Sequence, residues 1–283
     1  MKIAAIQMVS GADLCANLAQ AKLLLREAAQ AGAELAVLPE YFCLMGLRDA
    51  DKLAIQEPFG QGQIQQFLSD AARDMGLWLV GGTLPLSASP DSPTSGSAGE
   101  PQPGRVFNSS LVYSPAGQCV ARYDKMHLFR FNNGVERYDE SLVLAAGRKP
   151  TTFDVASIDG HSWRIGMSVC YDLRFAELYR HYAQAGAHLM LVPSAFTYTT
   201  GQDHWEVLLR ARAIENLAFV VAAAQGGLHD NQRSTWGHAM LVDPWGKVLA
   251  VREQGPGVVM ADLSWDLMQQ CRSRLPALEH RLM

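Results

Sequence analysis

Cysteine is scarce in this chain of 283 residues: there are five, an odd number, scattered at Cys15, Cys43, Cys119, Cys170 and Cys271. That count and spacing argue against a disulfide framework and for a reducing compartment. The chain has no HExxH and no paired Cys/His spacing, so a metal centre has no motif behind it. It also lacks a GxGxxG after a strand and a GxxxxGK[ST], which leaves nucleotide binding without support. No apolar run approaches the roughly 18 residues of a membrane span, and the longest candidate, Ala218–Ala224, has the length of a strand. Charge of one sign is missing too: 24 Lys and Arg face 28 Asp and Glu, a net charge of -4 that excludes a broad phosphate-binding surface. Neither nucleic acid nor membrane is therefore expected as a partner. The opening MKIAAIQMVS is a short apolar run broken by Gln7, the mark of a buried strand and not of a signal-peptide core. A cytoplasmic protein is expected.

What is present is a globular composition, 48% hydrophobic and 18% charged, in a chain long enough to bury about three-quarters of its unfolded surface. The first half alternates strand and helix. KIAAIQMV reads as a strand, Asp13 as the N-cap of a helix over Ala16–Ala31 ended by Gly32, and ELAVLPE as a second strand. Short apolar runs joined by a helix make a βαβ unit. Ile64–Met75 and Leu77–Thr83 extend the pattern. The second half repeats it, with strands at Arg164–Val169, HLMLVP and AFVVAAA and helices at Ala176–Ala185 and Trp205–Leu217. A hairpin turning at Pro244–Gly246, a strand at Val258–Ala261 and a short helix close the chain. The Ser-, Pro- and Gly-rich stretch Ser87–Gly104 reads either as an interdomain linker or as a flexible surface excursion. The second is favoured because Leu77–Thr83 and Val106–Tyr113 read as neighbours in one sheet, so 1–283 is taken as one α/β domain.

Ala29–Phe42 and Ala183–Phe196 agree at 8 of 14 positions. Shared local grammar accounts for this: a helix end, a glycine, a buried strand and a proline stop. The alternative is two similar α-β layers packed sheet to sheet.

Ligands of α/β sheets bind beyond the carboxyl ends of strands. Glu40, Lys125 and Cys170 each follow a strand-like run. A strand-to-helix turn would expose Cys170 as a nucleophile, and a nearby ammonium and a helix N-terminus would lower its pKa from about 8.5 towards thiolate. Taken singly, each residue has a plainer reading: a loop glutamate, a solvated lysine, a packed cysteine. His127 and His238 are conceivable partners for Cys170 in a papain-like dyad, but nothing in the spacing singles them out. Asn108 opens an NSS glycosylation sequon.

Taken together, LPEYF around Glu40, YDKMHLF around Lys125 and SVCYDLRFAELYR around Cys170 resemble the nitrilase superfamily of carbon–nitrogen hydrolases. The resemblance runs from KIAAIQM to PALEHR. It implies a four-layer α-β-β-α sandwich of the nitrilase type, dimerised across a helical face. It also implies a cysteine nucleophile at Cys170, a general base at Glu40 and a lysine at Lys125 that stabilises the tetrahedral intermediate. A second glutamate precedes a loop-closing glycine by seven residues in many members, and Glu140 stands at that spacing from Gly147. Tyr171-Asp172 after the cysteine is similar to amidases and unlike true nitrilases, which carry Trp-Glu there.

Within the superfamily, GQDHWEVLLRARAIENLAFVVAAAQGG and RSTWGHAMLVDPWG most resemble the deaminated glutathione amidase branch, with the omega-amidases next to it. The implied activity is hydrolysis of a small carboxylated amide to acid and ammonia through a cysteine thioester. Deaminated glutathione is the expected substrate, and alpha-ketoglutaramate or an N-carbamoyl compound the alternative. A catalytically silent binding protein of the same fold is the reading from another class. No metal or organic cofactor is expected, and a homodimer is. The Tyr171 backbone N–H would join Lys125 in holding the oxyanion. Arg174 would pair with the substrate carboxylate, with Tyr41, Phe196 and Trp205 as pocket walls.

Overall fold

The computed structural model describes residues 1–87 and 104–282. The expected excursion Ser87–Gly104 falls almost wholly on 88–103, outside the described residues. Among the described residues ten strands form one sheet, six a second, and two a small hairpin over Arg130–Asn132 and Arg137–Asp139.

The two sheets carry the same local connectivity. In the first, Lys2–Met8, Leu35–Val37 and Trp78–Val80 run parallel in that order, and Val106–Tyr113 follows antiparallel. In the second, Ser162–Met167, Leu189–Leu191 and Phe219–Ala222 run parallel, and Ala239–Val242 follows antiparallel. An antiparallel strand flanks the first member of each set, Gly257–Asp262 on Lys2–Met8 and Thr152–Ala156 on Ser162–Met167. The sequence echo lies at equivalent places in the two sets. Gly32 and Gly186 adopt φ +82° and +81° just past their helices. The Ala33 N–H then donates to the Ala28 carbonyl and the Ala187 N–H to the Tyr182 carbonyl. Such a six-residue closure needs a left-handed residue, which glycine supplies without strain.

The strands read as continuous apolar runs because both faces of each sheet are covered. Ala4, Ile6 and Met8 pack with Leu18, Leu25 and Leu68 of the helices Leu14–Gln30 and Gln63–Met75. Ile3, Ala5, Leu35 and Val37, on the opposite face, join Ile165, Met167, Leu189 and Leu191 of the second sheet in one buried cluster. Gly166 lies against Tyr182 of the helix Ala176–Gln184, and a Cβ there would come within 2.6 Å of that ring. The helix Tyr198–Asn216 contributes Trp205, Leu209 and Ala213 to the same cluster. The order is helix, sheet, sheet, helix. Cutting a residue such as Leu189 back to alanine in such a core costs about 2–5 kcal/mol.

Two elements differ from expectation. AFVVAAA is not one strand: Phe219–Ala222 belongs to the second sheet, and Ala224–Leu228 pairs with Met8 and Trp236 in the first. The chain crosses between layers at Ala223, where small side chains allow close passage. A Cβ on Gly226 would meet the Gly237 Cα at 2.7 Å. The helix expected from Trp205 begins at Tyr198. Its first turns lack an apolar stripe, and Gly201 there lies against Trp236, whose Cβ would be 2.3 Å from an added Cβ. The first helix matches closely, spanning Leu14–Gln30, with the Asp13 carboxylate accepting the Ala16 N–H at 2.8 Å. No helix among the described residues is long and apolar enough to cross a membrane.

Candidate active site

Glu40 and Cys170 both lie just past parallel strands, Leu35–Val37 of one sheet and Ser162–Met167 of the other, so the packing of the sheets brings the two turns together. Glu40 is buried to 1% exposure, a costly place for a carboxylate without partners. It has three. Lys125 Nζ donates to Oε1 at 3.0 Å, Asn108 Nδ2 donates to Oε1 at 2.9 Å, and the Ala195 backbone N–H donates to Oε2 at 2.9 Å. Cys170 lines one cleft with Glu40, whose charge acts on its thiol.

Lys125 follows the strand Cys119–Asp124, and its backbone is held at both ends. Its N–H donates to the Asn108 carbonyl at 3.0 Å and its carbonyl accepts the Gly147 N–H at 2.8 Å. Its ammonium also lies 2.8 Å from the Glu140 carboxylate. Glu140 in turn accepts from Tyr41 Oη at 2.8 Å and from the Phe129 N–H at 2.7 Å. A lysine has three N–H donors, so one remains beyond the two carboxylates.

Cys170 sits at φ +50°, a left-handed conformation that a non-glycine residue adopts only when its surroundings impose it. Here the imposing groups are identifiable. The Cys170 N–H donates to the Pro193 carbonyl at 3.0 Å. Asp172, fully buried, accepts from the Val169 N–H at 2.9 Å, from Tyr123 Oη at 2.7 Å and from the His127 N–H at 3.0 Å, with His127 Nδ1 at 2.7 Å. One carboxylate thus ties the turn of the thiol to the segment that carries Lys125. Tyr41 mirrors Cys170 at φ +56°, its N–H donating to Thr83 Oγ1 at 2.9 Å.

The electrostatics correct one expectation. Burial, and then the Glu40 carboxylate, push the Cys170 thiol well above its ordinary pKa, and the Lys125 ammonium only partly opposes them. Burial therefore favours the neutral thiol at Cys170 over a thiolate. Burial also raises Glu40 above the usual carboxylate value, against the pull of Lys125. Burial alone would lower Lys125, but Glu140 and Glu40 outweigh it and hold the ammonium charged. The set can move a proton from sulfur to Glu40 and keep a fixed positive charge beside it.

A cleft opens onto Glu40, Glu140 and Cys170, with Tyr41, Lys52 and Arg233 among its other walls. Of the three side chains expected to contact substrate, Tyr41 lines this cleft, whereas Arg174 and Phe196 are not among its lining; nor is Tyr171, whose expected contact is through its backbone N–H. The Arg174 guanidinium lies 5.3 Å from the Phe196 ring and 5.8 Å from the Tyr171 ring, with Nη1 3.2 Å from His204 Nδ1. Phe196 packs on Trp205 with 5.0 Å between ring centroids. Sequence reasoning missed Asn108, Asp172 and Arg233. The first was visible only as a sequon and the second only as the residue after Tyr171. Among the described residues, no group of His, Cys, Asp and Glu is arranged to hold a metal ion.

The sequence model for carbon–nitrogen hydrolases matches residues 2–273. A deaminated glutathione amidase of Synechocystis sp. is 38% identical over 281 residues, covering 99% of this chain and 97% of that protein. An omega-amidase of Homo sapiens is 33% identical over 282 residues, covering 99% of this chain and 94% of that one. The crystal structure of the C. elegans NitFhit protein superposes with a TM-score of 0.83 at 34% identity, covering 99% of this chain and 65% of that one. This chain therefore spans about two-thirds of the NitFhit protein.

Proposed function

The chain belongs to the carbon–nitrogen hydrolase family and is an amidase, and from that premise we propose that it hydrolyses deaminated glutathione with Cys170 as nucleophile. The observation that carries the chemistry is Cys170 on one cleft with a Glu40 carboxylate that also holds the Lys125 ammonium.

Each step has a residue to perform it. Glu40 takes the Cys170 proton as sulfur bonds to the amide carbon. The carbonyl oxygen becomes an oxyanion held by the remaining Lys125 N–H and the Tyr171 backbone N–H. One such donor is worth about 3–4 kcal/mol in the transition state. Glu40 returns its proton to the amide nitrogen, the C–N bond breaks, and an acyl thioester remains. Glu40 then takes a proton from water, hydroxide adds to the thioester carbon, and the C–S bond breaks as sulfur regains a proton. Glu140 fixes Lys125 so that the ammonium stays in place while Glu40 cycles.

Deaminated glutathione is a secondary amide, so its departing group is cysteinylglycine. Ammonia leaves only from primary amides such as alpha-ketoglutaramate, which narrows the expected release of ammonia to that alternative. Identity to a deaminated glutathione amidase over nearly the whole chain supports the first substrate; the 33% identity to an omega-amidase keeps the second. A steady-state comparison of kcat/KM on the two amides, with Cys170→Ala as control, tests this. A higher value on alpha-ketoglutaramate reverses the substrate assignment, and wild type as inert as the alanine variant on both removes it.

A homodimer in the cytoplasm completes the proposal. Val207 and Ile214, two turns apart on the helix Tyr198–Asn216, are 67% and 46% exposed, and Trp245, next in the chain to the Gly246 that lies against Ile214, is 58% exposed, an apolar helical face suited to a second copy. Light scattering at micromolar concentration gives the mass directly.

A further inference from the structure

Gln225 is a fully buried amide that takes no part in the proton transfers, yet it reaches the base from two directions. It stands on the strand Ala224–Leu228, just past the point where the chain crosses from the second sheet to the first. Its Nε2 donates to the Glu40 backbone carbonyl at 3.1 Å and to Ser10 Oγ at 2.8 Å, and its Oε1 accepts the Ser10 N–H at 3.0 Å. Ser10 Oγ donates in turn to the Phe42 carbonyl at 2.9 Å. The pair therefore grips both ends of the turn Glu40–Phe42, whose middle residue Tyr41 is held at φ +56°.

The backbone of Gln225 serves the other side of the site. Its N–H donates to the Ser194 carbonyl at 2.8 Å. Ser194 stands between Pro193, whose carbonyl accepts the Cys170 N–H at 3.0 Å, and Ala195, whose N–H donates to Glu40 Oε2 at 2.9 Å. One residue thus holds the carbonyl of the base and anchors the segment that holds both its carboxylate and the nucleophile. An amide has two N–H donors, and both are engaged within the protein. Gln225 is not among the residues lining the cleft. It acts on a substrate only through Glu40 and Cys170.

We propose that Gln225, seated on Ser10, is the positioning residue that sets the Glu40 carboxylate against the Cys170 thiol. The inference rests on Glu40 acting as the base of the amidase reading. An amide suits the task because it supplies two donors and an acceptor without adding a charge beside Glu40, Lys125 and Glu140. Without it the left-handed turn is free to relax, and Glu40 keeps only the contacts of its carboxylate. A misplacement of about 1 Å at a reacting group costs about 10²-fold in rate.

A double-mutant cycle tests this on whichever of deaminated glutathione and alpha-ketoglutaramate the wild type cleaves faster. Gln225→Met, close in length but without a donor, should lower kcat about 10- to 100-fold and leave KM within about twofold. In the Glu40→Gln background the same change should cost less than about threefold, because the group through which it acts is already gone. Alkylation of Cys170 by iodoacetamide gives a readout independent of turnover. The Glu40 charge raises the pKa of the thiol, so Gln225→Met and Glu40→Gln should each lower the pH midpoint of alkylation. The double variant should lower it no further than Glu40→Gln. Ser10→Ala is the second variant should Gln225→Met fail to fold; its loss of kcat is expected to be smaller and to vanish likewise in the Glu40→Gln background. Equal fold-losses in the two backgrounds mark a merely structural role and overturn the inference, as does a Gln225→Met enzyme with wild-type kcat and an unshifted alkylation midpoint. A wild type that cleaves neither amide yet shows the expected alkylation cycle overturns the amidase reading alone.

Discussion

The Ala195 backbone N–H donates to Glu40 Oε2 at 2.9 Å, joining the two turns that close the echoed segments. The acid belongs to one sheet, and the donor lies past the equivalent strand of the other. Sheet packing therefore sets the orientation of the carboxylate towards the thiol, and the remaining donors, Asn108 and Lys125, hold its second oxygen.

If Glu40 is the base, Glu40→Gln should keep the fold and lose catalysis. The expected fall in kcat is about 10²–10⁴-fold, with a thermal midpoint close to that of wild type. The pH profile adds a second reading. Turnover needs Glu40 unprotonated, and burial raises its pKa above the ordinary 4.5. The acid limb of kcat/KM should therefore lie above that value, with activity lost as pH falls through it. A limb at or below 4.5 would assign it to another group.

Asp172 tests positioning. Asp172→Ala leaves Tyr123 Oη and the Val169 N–H without their buried acceptor, at a cost of about 3 kcal/mol. The turn bearing Cys170 should loosen from the Lys125 segment, so kcat should drop more than KM rises. Urea unfolding and steady-state kinetics on the same preparation check both; unchanged kcat would remove Asp172 from the positioning of the site.

Gly147→Ala should act at a distance from the thiol. An added Cβ would stand 2.0 Å from the Asp124 carbonyl oxygen, so the backbone next to Lys125 has to shift. We expect at least a tenfold loss of kcat together with a lower melting temperature. A variant with wild-type rates would show that the loop can yield without moving the ammonium.

The stability of the fold should depend on pH through His188. Burial, with Arg272 and Arg164 nearby, lowers its pKa from 6.5 to about 4. The folded state therefore prefers the neutral ring, whose Nδ1 accepts the Arg164 N–H at 2.9 Å. This contribution is complete above pH 6.5 and is lost progressively as pH falls from there towards 4. Urea midpoints should decline across that window in wild type and less steeply in His188→Asn.

Much of this architecture was legible in the sequence because buried strands announce themselves as apolar runs and helix ends as Ala-Gly. The same grammar hid the crossing at Ala223, since alanines suit either sheet. It also hid the first turns of the helix at Tyr198, where Gly201 answers to Trp236 and not to helical periodicity. At the site, Glu40, Lys125 and Cys170 stood out through their motifs. Their holders did not: Asn108 and Asp172 are defined by which polar atoms they meet, and those partners lie 68 and 49 positions away. Arg174 drew attention by its nearness to Cys170 along the chain, yet its guanidinium rests on Phe196 and Tyr171. The cations on the cleft wall come from 52 and 233, far from any motif.

Because the acid and ammonium ride on one layer and the thiol on the other, hydrolysis reports on the docking of the two layers. A molecule that kept each sheet and its helices but let the interlayer seam open would retain its circular dichroism and be silent in the assay. Turnover should thus vanish ahead of helical signal under mild denaturant, a gauge of seam integrity that spectroscopy alone does not give.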